Sequence, residues 1–335
     1  MKLSRMALVM GTVLALCLGC GKQTETSSSG TATDTGKQAS GMADSGQTAA
    51  KPKAVIGVSL LTMANPFFKV MGDAMKAEGA KNNYDVIVEA GEMDPARQRD
   101  QVNDFIVKKV NAIILSPCDS RSIGTSIQAA NKAGIPVFTA DIASMDRAAK
   151  VVSHVATDNY EGGKLAGQAM IEALGGNGNV AIIDHPEVES VIQRTRGFRE
   201  AVAGAKGIKI VAQLPGGAQR DTAFKTAQDI LEKNPQLNGI FAINDPTALG
   251  AVAAIEKAGR VGKIKVIGFD GQPEAKQAIK EGKIYADAIQ FPEKIGTMAI
   301  QAVSKYMAGE QVPPQTLIPT ALYKKADAEK DPDVK

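Results

Sequence analysis

A chain of 335 residues, 44% of them hydrophobic, is long enough for two ordinary domains. The formal net charge is only +3 and no basic stripe is present, so nucleic acid is not an expected partner. Beyond the N-terminus no apolar run is long enough to cross a bilayer.

Lys2 and Arg5 give a positive start, and residues 6–16 an apolar run, which together read as a signal peptide. Its end, Leu16-Cys17-Leu18-Gly19-Cys20, resembles a bacterial lipoprotein lipobox, with Cys17 where that pattern prefers Leu. The resemblance implies a leader over 1–20, cleavage at Cys20 and lipidation of Cys20. The Cys17-x-x-Cys20 spacing also suits redox chemistry, but its place at the end of an apolar leader favours the lipobox. Cys118 then lacks an intrachain partner and reads as a free, partly buried thiol. Residues 21–52 are rich in Ser, Thr, Gly, Ala and Gln and nearly lack large apolar side chains. They bury no core and read as a flexible tether.

From residue 53 on, apolar strands alternate with helical patterns. Residues 55–61 read as a buried strand. Asn65-Pro66-Phe67-Phe68 follows, and then an amphipathic helix over 69–82. Next come a strand at 86–88 and a helix over 95–109, with Asp94 as N-cap before a proline at the first helical position. Strands follow at 112–115, 135–138 and 151–155, with a helix over 122–133 closed by Gly134. The pattern then restarts near 156–159. Strands are predicted at 179–183, 208–214, 239–243, 264–269 and 285–289. Helices are predicted over 162–174 and 190–203, up to about 233, up to 258, after 271, and over 292–307. Strands alternating with helices argue for α/β with parallel sheets, and the restart argues for two doubly wound lobes.

Asn65, Ser116, Asp141, Asn244, Asp270 and Gln290 each lie just after a predicted strand. Any one of them also serves as a helix cap or turn residue. Likewise Phe67 and Phe68 after Asn65 suit a hydrophobic staple that fixes a helix entry. Six polar residues on successive strand ends point further. In open α/β sheets ligands bind beyond the carboxyl ends of the strands. Amides and carboxylates there match paired hydroxyls, which both donate and accept, and Phe faces match the apolar side of a sugar ring.

Five stretches carry a resemblance: Asn65-Pro66-Phe67-Phe68, Ser153-His154-Val155-Ala156-Thr157-Asp158-Asn159, Arg194-Thr195-Arg196-Gly197-Phe198, Phe241-Ala242-Ile243-Asn244-Asp245, and Val266-Ile267-Gly268-Phe269-Asp270-Gly271. With them, residues 53–323 resemble the ribose-type periplasmic sugar-binding proteins of ABC transporters. The resemblance implies two Rossmann-like lobes joined by three hinge crossings, near Thr157, Gln290 and Pro319-Thr320. The first lobe would hold 53–156 with 291–318, the second 157–290 with 319–326, and 327–335 would form a tail. It places ligand contacts on Asn65, Phe67, Phe68 and Asp141 in the first lobe, and on Arg194, Asn244, Phe269, Asp270 and Gln290 in the second lobe and hinge. Ser116 falls where the ribose binders have Asn, Ile142 where they have Arg, and Ala218 where they have an aromatic.

The expected protein is a monomeric, lipid-anchored component of the cell envelope that binds a monosaccharide and delivers it to an ABC permease. Neither cofactor nor metal is expected. A lipoprotein that reports sugar to a chemoreceptor is the alternative. An enzyme is disfavoured, because the only two histidines, His154 and His185, stand in no catalytic or metal motif. A regulator of the lac-repressor kind would carry a helix-turn-helix where the leader and tether stand.

Overall fold

The computed structural model describes residues 53–335; the leader, Cys20 and the tether lie outside the described residues. In the first half the elements are β1 (Ala54–Leu60), α1 (Pro66–Lys81), β2 (Tyr84–Ala90), α2 (Pro95–Val107), β3 (Ala112–Leu115), α3 (Gly124–Lys132), β4 (Val137–Ala140) and β5 (His154–Thr157). β1 is apolar apart from Ser59, whose hydroxyl donates to Gln101 Oε1 at 2.7 Å, because it is an interior strand of a parallel sheet with helices on both faces. The starts of α1 and α2 follow the same local rule. Asn65 Oδ1 accepts from Phe67 N at 3.0 Å, Asp94 Oδ1 accepts from Ala96 N at 2.8 Å, and a proline occupies the first turn of each helix.

The second half runs α4 (Asn159–Ala173), β6 (Asn177–Asp184), α5 (Glu189–Ala203), β7 (Gly207–Pro215), α6 (Arg220–Lys233), β8 (Leu237–Ala242), α7 (Asp245–Lys257), β9 (Lys265–Asp270), α8 (Pro273–Lys280) and β10 (Ala286–Ile289). The chain ends with α9 (Pro292–Met307), β11 (Gln315–Ile318), β12 (Ala321–Lys324) and α10 (Lys325–Ala328).

Two six-stranded sheets result, ordered β11-β5-β4-β3-β1-β2 and β12-β10-β9-β8-β6-β7. The chain crosses between them three times: after β5, between β10 and α9, and between β11 and β12. Every strand pair is parallel except β10 with β12, which closes the second sheet. β5 begins at His154 rather than near Val151; there its pairing with β4 on one side and with β11, far away in sequence, on the other both start.

The last residues depart from the expected tail. Asp331 accepts from Lys276 Nζ at 3.0 Å and from the Tyr323 hydroxyl at 2.8 Å, Lys280 Nζ donates to the Val334 carbonyl, and Ala328 and Val334 are buried. Two apolar side chains and two lysines hold this segment on the second lobe. No helix among the described residues is long and apolar enough to cross a membrane.

Candidate functional site

The carboxyl ends of the two sheets face each other across a cavity of about 320 Å³. Asn65, Phe67, Phe68 and Asp141 line it from the first lobe, and Arg194, Asn244, Asp270 and Gln290 from the second. Asn65 and Asn244 also cap α1 and α7, so capping and lining are done by the same residues. Phe67 and Phe68 meet edge to face, with centroids 5.1 Å apart.

Arg194 is the electrostatic centre. It is 4% exposed, and a buried cation is costly unless each donor finds a partner. Nε donates to Asn159 Oδ1 at 2.7 Å, and Nη1 donates to the Ile243 carbonyl at 2.7 Å and to Asp270 Oδ1 at 3.3 Å. Its guanidinium rests on the Phe269 ring. Asp270 Oδ1 also accepts from Gln290 Nε2 at 2.7 Å. The Asp270 backbone has φ 114, a strained conformation for a residue with a side chain and one that concentrates at functional sites.

Burial pushes the carboxyl of Asp270 up, and Arg194 with the Gln290 and Gln272 amides pulls it back. The Asp141 carboxyl is pushed up to about 7 by burial, with Arg194 opposing and Asp270 adding repulsion. Asp141 also has a positive φ of 66. Its Oδ1 and the Oε1 of Gln290 are buried acceptors without a hydrogen-bond partner. Such atoms are costly to leave unpaired, by about 1–3 kcal/mol each, and both belong to cavity-lining residues. The site thus combines unpaired acceptors, amides, one fixed cation and two phenyl rings, a set suited to a compact molecule rich in hydroxyls. Among the described residues no group of His, Cys, Asp or Glu is arranged to hold a metal ion.

Ser116 and Phe269 stand outside the lining. The Ser116 hydroxyl donates to the Ala140 carbonyl at 2.7 Å, and the residue is fully buried just past the end of β3. Phe269 is equally buried and meets Arg194 instead of the cavity. Ile142 and Ala218 do line the cavity.

Other lining residues lay outside the expected set. His185, Val188, Ser190 and Val191 come from the β6–α5 turn and the first turn of α5, Met93 from the β2–α2 turn, and Gln219, Arg220 and Asp221 from the start of α6. His185 follows a strand directly, so the strand-end rule that selected Asp141 would have selected it too. Burial pushes the His185 imidazole down, while Glu187, Asp184 and Asp119 oppose. Glu187 Oε2 is 2.8 Å from Nδ1 but without hydrogen-bond geometry, and neither ring nitrogen has a hydrogen-bond partner. His154 lies in the first sheet, where burial pushes its imidazole down to about 4 and Nδ1 meets the Thr139 hydroxyl at 2.9 Å. Cys118 is buried and free, its thiol pushed up to about 12 by burial, which leaves it unreactive.

The family described as "Periplasmic binding protein domain" matches residues 56–311. The ribose import binding protein of Salmonella typhimurium is 34% identical over 267 residues, 78% of this chain and 88% of that protein. The D-apiose import binding protein of Paraburkholderia graminis is 31% identical over 269 residues, 79% of this chain and 86% of that protein. Among solved structures, an ABC transporter periplasmic solute binding protein from Actinobacillus succinogenes with bound D-allose superposes with a TM-score of 0.77 at 34% identity, covering 83% of this chain and 100% of that one. The family match spans most of the folded chain, both sheets take part, and the cavity lies where the sheets meet; the chain belongs to the periplasmic binding protein family, in its ribose-type, sugar-binding branch.

Proposed function

We propose that this chain is the substrate-binding component of an ABC sugar importer, holding a monosaccharide between its lobes and delivering it to a membrane permease. The observation that carries this reading is the cavity wall itself. Acceptors on Asp141 and Gln290, the paired Arg194–Asp270 and the Phe67–Phe68 rings converge there from both sheets. Asn65, Phe67, Phe68, Asp141, Arg194, Asn244, Asp270 and Gln290 would touch the sugar; Phe269 and Ser116 would support them from behind. The lobes would comprise 53–156 with 291–318, and 157–290 with the residues from 319 on. Closure of such lobes around a ligand is a hinge motion. Lipidation of Cys20 would hold the folded part at the membrane beside its permease, as a monomer on a tether.

Thermal shift against pentoses, hexoses and polyols tests the reading, since a ligand that binds only the folded state raises Tm by mass action. A sugar that raises Tm is expected also to reduce the radius of gyration in solution scattering. A panel in which no sugar moves Tm refutes the proposal.

A further inference from the structure

One side chain bonds candidate ligand residues of both lobes and yet lies outside the cavity lining. Gln272, the residue before α8, donates from Nε2 to Asn65 Oδ1 at 2.9 Å and to Asp270 Oδ2 at 3.3 Å. Asn65 belongs to the first lobe, Asp270 and Gln272 to the second. The amide orientation is dictated by its partners. Asn65 Oδ1 already accepts from Phe67 N, so the atom facing Gln272 is an acceptor, and so is the carboxylate oxygen of Asp270. Only the NH₂ end of Gln272 bonds both.

The turn that presents Gln272 is tightly held. Asp245 Oδ2 accepts from Gln272 N at 2.6 Å. Gly271 has φ 78, and a Cβ there would collide with Ile289. The strained Asp270 precedes it. The amide is therefore presented from a rigid turn and needs little ordering to reach across the cleft.

We propose that Gln272 is a positioning residue that clasps the two lobes through Asn65 and Asp270, and that it sets which groups Asn65 shows a ligand. The second half of this inference rests on the sugar-binding reading above; the first half does not. A carbonyl oxygen has two lone pairs. Phe67 N and Gln272 Nε2 occupy both on Asn65, so in the clasped state Asn65 faces the cavity only as a donor, through Nδ2. The ligand atom opposite it must accept. Asp270 Oδ1 is likewise committed to Arg194 and Gln290, so the remaining capacity for a hydroxyl is on Oδ2, beside the clasp. The bond runs from protein to protein, and it favours closure whatever the cavity holds.

A separate seam between the lobes provides the readout. Ser120 N donates to the Glu187 carbonyl at 3.0 Å, and Glu189 N donates to Ser120 Oγ at 2.9 Å. Both bonds break when the lobes part. Hydrogen exchange of peptides covering 118–122 and 186–190, without sugar, reports the open fraction. Gln272→Leu is expected to speed exchange there by roughly two- to tenfold, the worth of one hydrogen bond, with peptides of β3 and β8 unchanged. Gln272→Glu sets acceptor against acceptor and is expected to speed it more than Gln272→Leu. Equal exchange in wild type and both variants overturns the clasp. A variant that also loosens β3 and β8 is replaced by Gln272→Asn, one methylene short, judged on the same two peptides. In a second arm, calorimetric titration with D-ribose and D-allose is expected to show weaker binding to Gln272→Leu by a similar factor; unchanged affinity overturns the role in presenting Asn65. If neither sugar binds even wild type, the sugar reading fails, and exchange alone decides the clasp.

Discussion

The guanidinium carbon of Arg194 lies 3.9 Å from the centre of the Phe269 ring, so this phenylalanine supports the arginine instead of facing the cavity. The ring is fully buried and cannot shift without displacing its neighbours. Arg194 is thereby held flat while it donates to Asp270. A cation over an aromatic face contributes about 0.5–2 kcal/mol, more when desolvated.

From this pair follows an ordering of variants. Asp270→Ala removes a charge-assisted acceptor worth roughly 1.5–3 kcal/mol, so sugar affinity is expected to fall about tenfold to a hundredfold. Phe269→Leu leaves every direct contact in place but frees Arg194, and a smaller loss is expected. Isothermal titration checks both; wild-type affinity in Asp270→Ala would reduce that residue to a turn former.

Gly162 in α4 tests the same platform from behind. A Cβ there would lie 2.6 Å from Phe269 Cζ and 2.8 Å from Cε2. Ala in a helix interior gains up to about 1 kcal/mol over Gly, whereas overpacking costs typically 1–3 kcal/mol. The clash wins, so Gly162→Ala is expected to lower Tm and weaken sugar binding together. A raised Tm in calorimetry would show that the ring yields.

Asp141 gives a pH dependence with a definite sign. Its folded carboxyl is pushed up to about 7 by burial, against an ordinary value near 4. Between those values the folded protein keeps a proton that the unfolded chain has released. The stability linked to this group is complete below about pH 4 and is lost as the pH rises through about 7. Asp141→Asn abolishes that titration, so its Tm is expected to exceed wild type at pH 8 and to match it near pH 4. Scans of both proteins across that window check it, and a constant difference would contradict the assignment. Asp287, also pushed up to about 7 by burial, titrates in both proteins and cancels in the comparison.

Ile142 bears on selectivity. It is 1% exposed at the cavity wall and offers no donor. A hydroxyl facing it loses its water partners at a cost on the order of 1–3 kcal/mol. A larger or less hydroxylated ligand, such as a hexose or a deoxysugar, is therefore expected to bind better than ribose. Titration with a sugar panel, repeated on Ile142→Arg, measures this. Submicromolar preference for ribose in the unmodified protein would refute it.

Anchoring is tested outside the described residues. Cys20→Ala is expected to release the protein from the membrane fraction or to block its processing. A membrane-bound, normally processed variant, seen by fractionation and intact mass, would refute the lipobox.

Local chemistry alone determined much of this protein. The apolar run before Asn65-Pro66 makes a buried strand followed by a capped helix, and the repeated alternation of apolar strands with helical patterns, with a restart, yields two wound sheets. Placing polar residues after strands puts them at the sheet edge where ligands bind, and so Asn65, Asp141, Asn244, Asp270 and Gln290, five of the six such residues, line the cavity wall. Which way each side chain turns there was decided by partners remote in sequence. Ser116 turned inward because the Ala140 carbonyl, 24 residues on, needed a donor. Phe269, on β9, went beneath Arg194, which comes from α5. β5 is paired on its far side by β11, about 160 residues on, and the last residues found lysines on α8. Gln272 reads as an ordinary turn residue until Asn65, 207 positions away, stands 2.9 Å from its amide. Hydrogen bonds and burial at such separations are properties of the packed whole, and local sequence does not encode them singly.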